Sequence, residues 1–177
     1  RKDSYNHFAL KAAQELLPAG VSLDLIELHG IPLFNQDLET KMPAAVVELK
    51  RQILAADAIL FATPEYNYSV SGVLKNAIDW ASRPAGESAW TGKPAAMMGA
   101  TPGSLGTARA QYHLRQMLVA FDMPLVNRPE VMIGNAAHCF APDGTLIDAP
   151  TRDHIKKLLL ALVQLVKTQA AGKNQTA

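Results

Sequence analysis

The sequence predicts a doubly wound α/β domain, in which helices cover both faces of a parallel sheet. Residues 57–63, 95–100 and 131–133 are short apolar runs, as expected for strands that are buried on both faces. The segments between these runs carry apolar residues at helical spacing. Strand and helix alternate without a linker-like break, and the 177 residues suit a single domain over residues 1–177.

The chain begins with a predicted helix, which a predicted strand follows. Asp3 or Ser4 can cap this helix, and Pro18 and Gly20 end it. One of its faces carries the apolar residues Phe8, Ala12, Ala13, Leu16 and Leu17. Residues 21–28 then alternate between apolar and polar side chains, which predicts a strand near an edge of the sheet.

Two further helices flank the strand at residues 57–63. The helix before it has an apolar face formed by Val46, Leu49 and Ile53. Pro64 ends the strand, and a polar loop leads from there into the next helix. That helix carries Leu74, Ala77, Ile78 and Ala81 on one face.

The second half of the chain repeats the alternation of strand and helix. Lys93 and Pro94 introduce the strand at residues 95–100, which leads through a glycine-containing loop into a fourth helix. The inward residues of this helix are Leu114, Met117, Leu118 and Phe121. The strand at residues 131–133 precedes a last helix with an apolar stripe of Ile155, Leu158, Leu159, Leu162 and Val166. Residues 170–177 have the composition of a frayed, flexible tail.

The front of the sheet lacks a strand that this fold class requires. A doubly wound chain ordinarily opens with a strand in the middle of the sheet, whereas the first residues here are typical of the loop after such a strand. Without it, backbone groups in the middle of the sheet would stay unpaired. We therefore expect a five-stranded sheet whose first strand, with its turn about ten residues long, precedes Arg1.

Composition narrows the classes of function. The chain has 17 basic and 16 acidic residues and no basic run, so it lacks the charge pattern of a nucleic-acid-binding protein. No apolar stretch is long enough to span a membrane, and we expect a cytoplasmic protein. Cys139 is the only cysteine, which excludes an intrachain disulfide, and the five histidines lack metal-ligand spacing. We therefore expect no metal site.

The loop Thr63-Pro64-Glu65-Tyr66-Asn67-Tyr68-Ser69 is the most informative segment for function. It follows a buried strand, at the edge where open α/β sheets bind ligands. Two tyrosines beside a glutamate are unusual in a connection that only turns the chain, and they suit a flat aromatic ligand. A polar surface loop without a ligand is the alternative interpretation. Residues 101–106 form a second loop of the same kind after the next strand.

Several motifs resemble the NADPH-dependent FMN reductases, a flavodoxin-like family that includes bacterial quinone, chromate and azo-dye reductases. The loop at residues 64–67 is followed by Gly72-x-Leu74-Lys75-Asn76-Ala77-Ile78-Asp79-Trp80 and Ser82-Arg83, which together resemble the signature of that family. Residues 1–6 resemble the latter part of its phosphate loop, whose leading Gly-Ser is absent here. Residues 111–116 and 127–130 extend the resemblance over nearly the whole chain.

This resemblance implies an FMN site with three sides. The cofactor phosphate would bind at the start of the first helix, where free amides and the helix dipole favour anions, with Arg1, Ser4 and Asn6 converging on it. The residues expected along the isoalloxazine are Pro64, Glu65, Tyr66 and Asn67. Those expected to close the other side are Thr101, Gly103, Ser104 and Gly106. A plain N-cap by Ser4 is the alternative for the first side.

The resemblance also implies an activity and an assembly. Hydride would pass from NADPH or NADH through FMN to quinones or similar acceptors, with chromate, azo dyes and free flavin as further candidates, and no side chain would act as the catalyst. We expect a homodimer or a dimer of dimers, with interface candidates at Tyr68, Trp80, Arg83, Arg109, Tyr112 and Glu130. The alternatives are an FMN electron carrier and an FMN-binding regulatory protein. Carriers of this type are usually strongly acidic, and the net charge of +1 favours the reductase.

Overall fold

A computed structural model describes residues 3–175, with side chains as far as residue 172. Its sheet contains the strands β1 (Ile59–Ala62), β2 (Ala95–Ala100) and β3 (Val131–Ile133). All three are parallel in the order β1-β2-β3, with Ile59 opposite Ala95 and Met98 opposite Val131. The sequence predicted each of these strands, and the parallel flavodoxin-like α/β architecture is confirmed.

In the described part of the chain, six α-helices surround the sheet. They are α1 (Tyr5–Glu15), α2 (Ala44–Ala55), α3 (Gly72–Ala81), α4 (Ala108–Leu118), α5 (Ala136–Cys139) and α6 (Ala149–Gln175). Short 3₁₀ helices at Gln36–Lys41 and Val119–Phe121 interrupt the connections. The apolar faces predicted for α2 and α3 are the buried ones in the structure.

The core divides into two clusters, one on each face of the sheet. One cluster packs α1 and α6 against Ala96, Met98 and Ala100 of β2. The other packs α2, α3 and α4 against Ala95 and Met97 of the same strand. All six residues of β2 are buried, because helices cover this strand from both sides. The alternation of its side chains between the two clusters follows from the pleat of a strand.

The predicted strand at residues 21–28 does not form within the described part of the chain, where the sheet has three strands. Leu23 packs against the α1/α6 cluster, whereas Ile26 and Leu28 pack against the opposite cluster. The expected alternation of side chains is therefore present. No described strand lies beside this segment to complete a ladder, and the strand expected before Arg1 stays a prediction.

The last helix is longer than the sequence suggested. Residues 170–175 continue α6, since Ala170 and Ala171 favour helix. The flexibility expected for residues 170–177 stays a prediction, and residues 176 and 177 lie outside the described residues. At the other end of α6, the Thr151 amide donates to Asp148 Oδ2 at 2.8 Å, and this carboxylate caps the first turn. Neither α6 nor any other described helix combines the length and hydropathy needed to cross a membrane.

Candidate functional site

The loops that follow β1 and β2 face each other at the carboxyl edge of the sheet. Between them lies a cleft of about 270 Å³. It is lined by Glu65, Thr101, Gly103, Ser104, Leu105, Thr107 and Arg109. Four residues that the sequence assigned to the site therefore lie together, although they belong to two separate loops. This is the edge at which open α/β sheets bind their ligands.

A tight turn forms the outer end of the first loop. The backbones of Tyr66 and Ser69 exchange two hydrogen bonds of 3.0 Å each. Between them, Asn67 and Tyr68 have φ angles of 49° and 67°, as in the two-residue turns of hairpins. A positive φ is uncommon for a bulky residue such as tyrosine. The turn leaves both tyrosine side chains more than half exposed beside the cleft.

Glu65 joins the two loops. Its Oε2 accepts hydrogen bonds from the backbone amides of Arg109 at 3.1 Å and Ala110 at 3.3 Å, in the first turn of α4. Its Oε1 accepts from the Arg109 guanidinium through Nε and a terminal nitrogen. The Glu65 side chain is only 8% exposed. Its carboxylate thus contacts protein groups, although the sequence placed this residue against a ligand.

Helix α4 also contacts the tyrosine turn. The Arg109 guanidinium carbon lies 3.7 Å from the centroid of the Tyr68 ring, a cation–π arrangement. One turn later, His113 Nδ1 lies 3.1 Å from Ser69 Oγ. Arg109 was an interface candidate from the sequence, and that assignment stays a prediction. Its link to Glu65 was not predicted, because 44 residues separate the two in the chain.

The second loop contains two glycines with different surroundings. Gly106 has a φ of +58°, and a Cβ there would overlap the backbone of Met132. Packing within the protein therefore requires glycine at this position. At Gly103, by contrast, the nearest atom to an added Cβ would be Thr101 Oγ1 at 3.9 Å. Nothing in the described chain excludes a side chain at Gly103, which leaves the adjoining space open to a ligand.

Several backbone donors in the two loops lack partners within the described part of the chain. The amides of Ser104 and Leu105 find no hydrogen-bond acceptor among the residues that the structure describes, and both residues line the cleft. The same holds for the Asn67 amide within residues 3–175. Backbone N–H groups need acceptors, and a ligand with carbonyl or ring-nitrogen atoms at its edge would supply them.

The start of α1 forms the third side expected from the sequence. Ser4 is the N-cap residue in extended conformation, but its side chain makes no capping hydrogen bond. Asn6 behaves differently from the expectation, because its amide is buried and hydrogen-bonded to the backbone of Ala100. Arg1 lies outside the described residues. An anion at this helix N-terminus would meet the Ser4 hydroxyl and a favourable helix dipole.

The described residues provide neither a group of metal ligands nor an activated thiol. Among the described residues, His, Cys, Asp and Glu form no group that could hold a metal ion. Burial raises the pKa of the Cys139 thiol, whose sulfur lies 3.7 Å from the Gly134 carbonyl oxygen. A raised pKa disfavours the reactive thiolate. The described cleft instead offers backbone donors, small and hydroxyl-bearing residues and the Glu65–Arg109 pair, with the tyrosine rings beside it.

Comparison with known proteins identifies the family. A family model described as NADPH-dependent FMN reductase matches residues 1–138. An NAD(P)H-dependent FMN reductase of Pseudomonas aeruginosa is 55% identical over 163 residues, which cover 92% of this chain and 88% of the relative. A 2-hydroxy-1,4-benzoquinone reductase of a Burkholderia species is 41% identical, with 90% and 87% of the two chains covered.

A solved structure extends this similarity to three dimensions. The flavoenzyme FerB of Paracoccus denitrificans, an NAD(P)H:(acceptor) oxidoreductase, superposes with a TM-score of 0.87 at 39% identity. The superposition covers 95% of this chain and 92% of that enzyme. The fold is thus shared over nearly the full length of both proteins.

Proposed function

Because the chain belongs to the NADPH-dependent FMN reductase family, we propose that it is an FMN-dependent oxidoreductase that transfers hydride from NAD(P)H to quinones or similar small acceptors. The names of its relatives, an FMN reductase and several quinone reductases, support both halves of this reaction. Chromate, azo dyes and free flavin are further candidate acceptors.

The observation that carries the proposal is the cleft between the loops after β1 and β2. The unpaired amides of Ser104 and Leu105 suit the carbonyl and ring-nitrogen acceptors at the edge of an isoalloxazine. Gly103 lets a planar group approach the backbone, since no protein atom needs the space. The residues present therefore fit FMN, which when bound supplies a group that accepts and returns a hydride.

We place the cofactor phosphate at the N-terminus of α1. The Ser4 hydroxyl is not used for capping, and the helix dipole favours a dianion at this end. Arg1 would add a guanidinium from the residues that precede the helix. Asn6 supports this corner indirectly, because its hydrogen bonds hold the first turn of α1 against the end of β2.

The protein groups contribute orientation and electrostatics rather than proton transfer. The backbone donors of residues 104 and 105 favour negative charge at the edge of the bound ring system. The exposed rings of Tyr66 and Tyr68 stand beside the cleft, where they offer faces to a flat acceptor or to a nicotinamide. Holding two reactants in contact in this way accounts for rate enhancement without an acid or a base.

The assembly proposed for this chain is a homodimer or a dimer of dimers. Leu33 is 84% exposed, and the Asn76 side chain holds its neighbours Pro32 and Phe34 against α3. Val73, one turn before Asn76 on α3, is also more than half exposed. These exposed apolar side chains support a contact with a second copy. NAD(P)H is a reductant of the cell interior, which supports a cytoplasmic location.

The complete sheet is proposed to have five strands. Of the four residues of β1 only Phe61 is fully buried, whereas all six residues of β2 are. The opposite packing of Leu23 and Ile26 also matches the two faces of a strand. A further strand between β1 and residues 21–28 would give hydrogen-bond partners to the backbone groups of both.

Steady-state kinetics test the proposed reaction. The FMN-loaded protein is assayed with NADPH and NADH against a panel of quinones, chromate, azo dyes and free flavin. We expect parallel lines in double-reciprocal plots, since the nucleotide leaves before the acceptor binds at the same face. A protein that holds FMN but is reduced by neither nucleotide would instead be an electron carrier. A protein that takes up no FMN would contradict both functions.

A further inference from the structure

The carboxylate of Glu65 has no acceptor capacity left for a ligand. A carboxylate offers about four lone-pair positions, and four donors already occupy those of Glu65. They are the Arg109 and Ala110 amides on Oε2 and two guanidinium nitrogens of Arg109 on Oε1. The side chain nevertheless lines the cleft. Its role must therefore lie in its contacts with Arg109 and Ala110 rather than in direct ligand binding.

Glu65 fixes the distance between the two walls of the cleft, which are the loop after β1 and the loop that leads into α4. Glu65 belongs to the loop after β1, whereas Arg109 and Ala110 form the first turn of the helix that follows the second loop. Both amides would otherwise lack a helical partner, so the carboxylate also serves as the cap of α4. A charge-assisted link of this kind, in a nearly buried position, tolerates little change in spacing.

Arg109 extends the same link to the tyrosine turn. Its guanidinium is fixed by Glu65 on one side and lies 3.7 Å from the ring centroid of Tyr68 on the other. Tyr68 has a φ of 67°, a conformation that bulky residues adopt only when their surroundings impose it. Stacking against a planar cation imposes the orientation of this exposed ring.

We propose that Glu65 and Arg109 are a positioning pair, which sets the spacing of the cleft walls and orients Tyr68 as a platform for the planar electron acceptor. This inference rests on the proposed function, because it assigns Tyr68 to the acceptor of that reaction. Neither residue transfers a proton or contacts the reacting atoms. Both act through the loops that they connect.

The variants Glu65→Gln, Arg109→Lys and their combination test the pair. The Glu65→Gln change keeps an acceptor for α4 but removes the negative charge, and the Arg109→Lys change keeps the positive charge but removes the planar fork. The matched control is Glu48→Gln, which removes a carboxylate from the exposed pair with Arg51 on α2, where Oε1 and the guanidinium are 2.6 Å apart. Glu48 does not line the cleft.

The first measurement is hydrogen exchange in the FMN-free protein. We expect amides of residues 64–70 and 101–110 to exchange about fivefold faster in Glu65→Gln and Arg109→Lys, because the link between the loops is weakened. Exchange in α6 and in the Glu48→Gln control should match the parent. Unchanged exchange in both loops would overturn the proposal, whether or not the protein binds FMN.

The second measurement separates positioning from a general loss of structure. At saturating FMN, we expect the KM for a planar quinone to rise about fivefold in either single variant, while kcat changes by less than about twofold. The double variant should be no worse than the poorer single variant, because the two residues act as one unit. An unchanged KM in the single variants would contradict the proposal. So would a double variant whose increase in KM is the product of the two single increases, because the residues would then act independently. A parent protein that shows no quinone reduction would instead refute the proposed function, while the exchange result still decides the structural link.

Discussion

The side-chain amide of Asn6 pairs with both backbone groups of Ala100. Asn6 Nδ2 donates to the Ala100 carbonyl, and the Ala100 amide donates to Asn6 Oδ1, each at 2.9 Å. This contact joins the first turn of α1 to the last residue of β2, immediately before Thr101. The proposed phosphate corner and the loop at residues 101–107 are therefore parts of one rigid arrangement.

Replacing Asn6 should destabilise the protein measurably. Asn6→Ala leaves the Ala100 amide and carbonyl without partners in a buried environment, and we expect a loss of about 2–3 kcal/mol in the free energy of unfolding. Gln14→Ala is the control on the same helix, since the Gln14 side chain is exposed where it donates to the Leu23 carbonyl. Chemical denaturation of both variants checks this. Equal stability of the two variants would show that the Asn6 contact contributes little.

Gly103 and Gly106 should respond differently to alanine. Gly106→Ala combines a positive φ with overlap against Met132, so it should lose about 2 kcal/mol or more of stability. Gly103→Ala meets no protein atom and should fold with a melting temperature close to that of the parent. Its FMN affinity should nevertheless fall about tenfold or more, because the methyl group occupies space assigned to the ligand. Fluorescence titration with FMN and thermal melting separate the two effects, and normal FMN affinity of Gly103→Ala would contradict the placement of the ring.

The sequence predicted the elements well because their apolar periodicity is local. Val46, Leu49 and Ile53 are the buried residues of α2, as their spacing indicates. Contacts that shape the site are not local: Glu65 reaches Arg109 across 44 residues, and Asn6 reaches Ala100 across 94. No periodicity encodes such pairs, so neither side-chain contact was predicted. The sequence placed the Asn6 side chain at the cofactor phosphate and the backbone of residues 64–67 along the isoalloxazine.

The turn at Tyr66–Ser69 and the segment at residues 21–28 depend on contacts with other parts of the fold, which a local sequence pattern does not contain. The turn at Tyr66–Ser69 contains no glycine. Asn67 favours the left-handed conformation locally, whereas Tyr68 does not, and Tyr68 is the residue that contacts Arg109 of α4. The segment at residues 21–28 has the alternation of a strand, but a strand also needs a neighbour to pair with. Alternation predicts which face a side chain takes and not whether a ladder forms.

Asp148 should make α6 sensitive to acid. Its hydrogen bonds with Thr151 hold the pKa of this carboxyl below its usual range. The ionised form therefore stabilises the folded state above the ordinary pKa of aspartate, and this contribution is lost as the pH falls through the lowered value. Asp148→Ala should cost about 1 kcal/mol at neutral pH and less in acid.

Asp148→Asn is the matched control for this effect. Asparagine caps helices about as well as aspartate, so this variant should keep most of the stability at neutral pH. It should lose the part of the acid dependence that belongs to residue 148. Urea denaturation from neutral to acidic pH checks both variants. A constant difference between parent and Asp148→Ala over the whole range would contradict the role of the charge.

The Cys139 thiol should react slowly with alkylating agents in the folded protein. Burial raises its pKa, so the thiolate fraction at a fixed pH is lower than that of an exposed cysteine. We expect alkylation by iodoacetamide to be about tenfold slower in the folded protein than in denaturant at the same pH. Mass spectrometry of the labelled protein over time measures this rate. Equal rates in the two conditions would indicate an exposed thiol.

The absorbance of the purified protein under anaerobic conditions tests the central claim most directly. The protein is saturated with FMN, freed of excess cofactor, and mixed with one equivalent of NADPH, followed by one equivalent of a quinone. We predict that the protein stays yellow after the excess cofactor is removed, because it retains FMN. Its visible absorbance should be lost with NADPH and return with the quinone. A protein that emerges colourless, or whose colour neither NADPH nor NADH removes, would contradict its function as an FMN-dependent reductase.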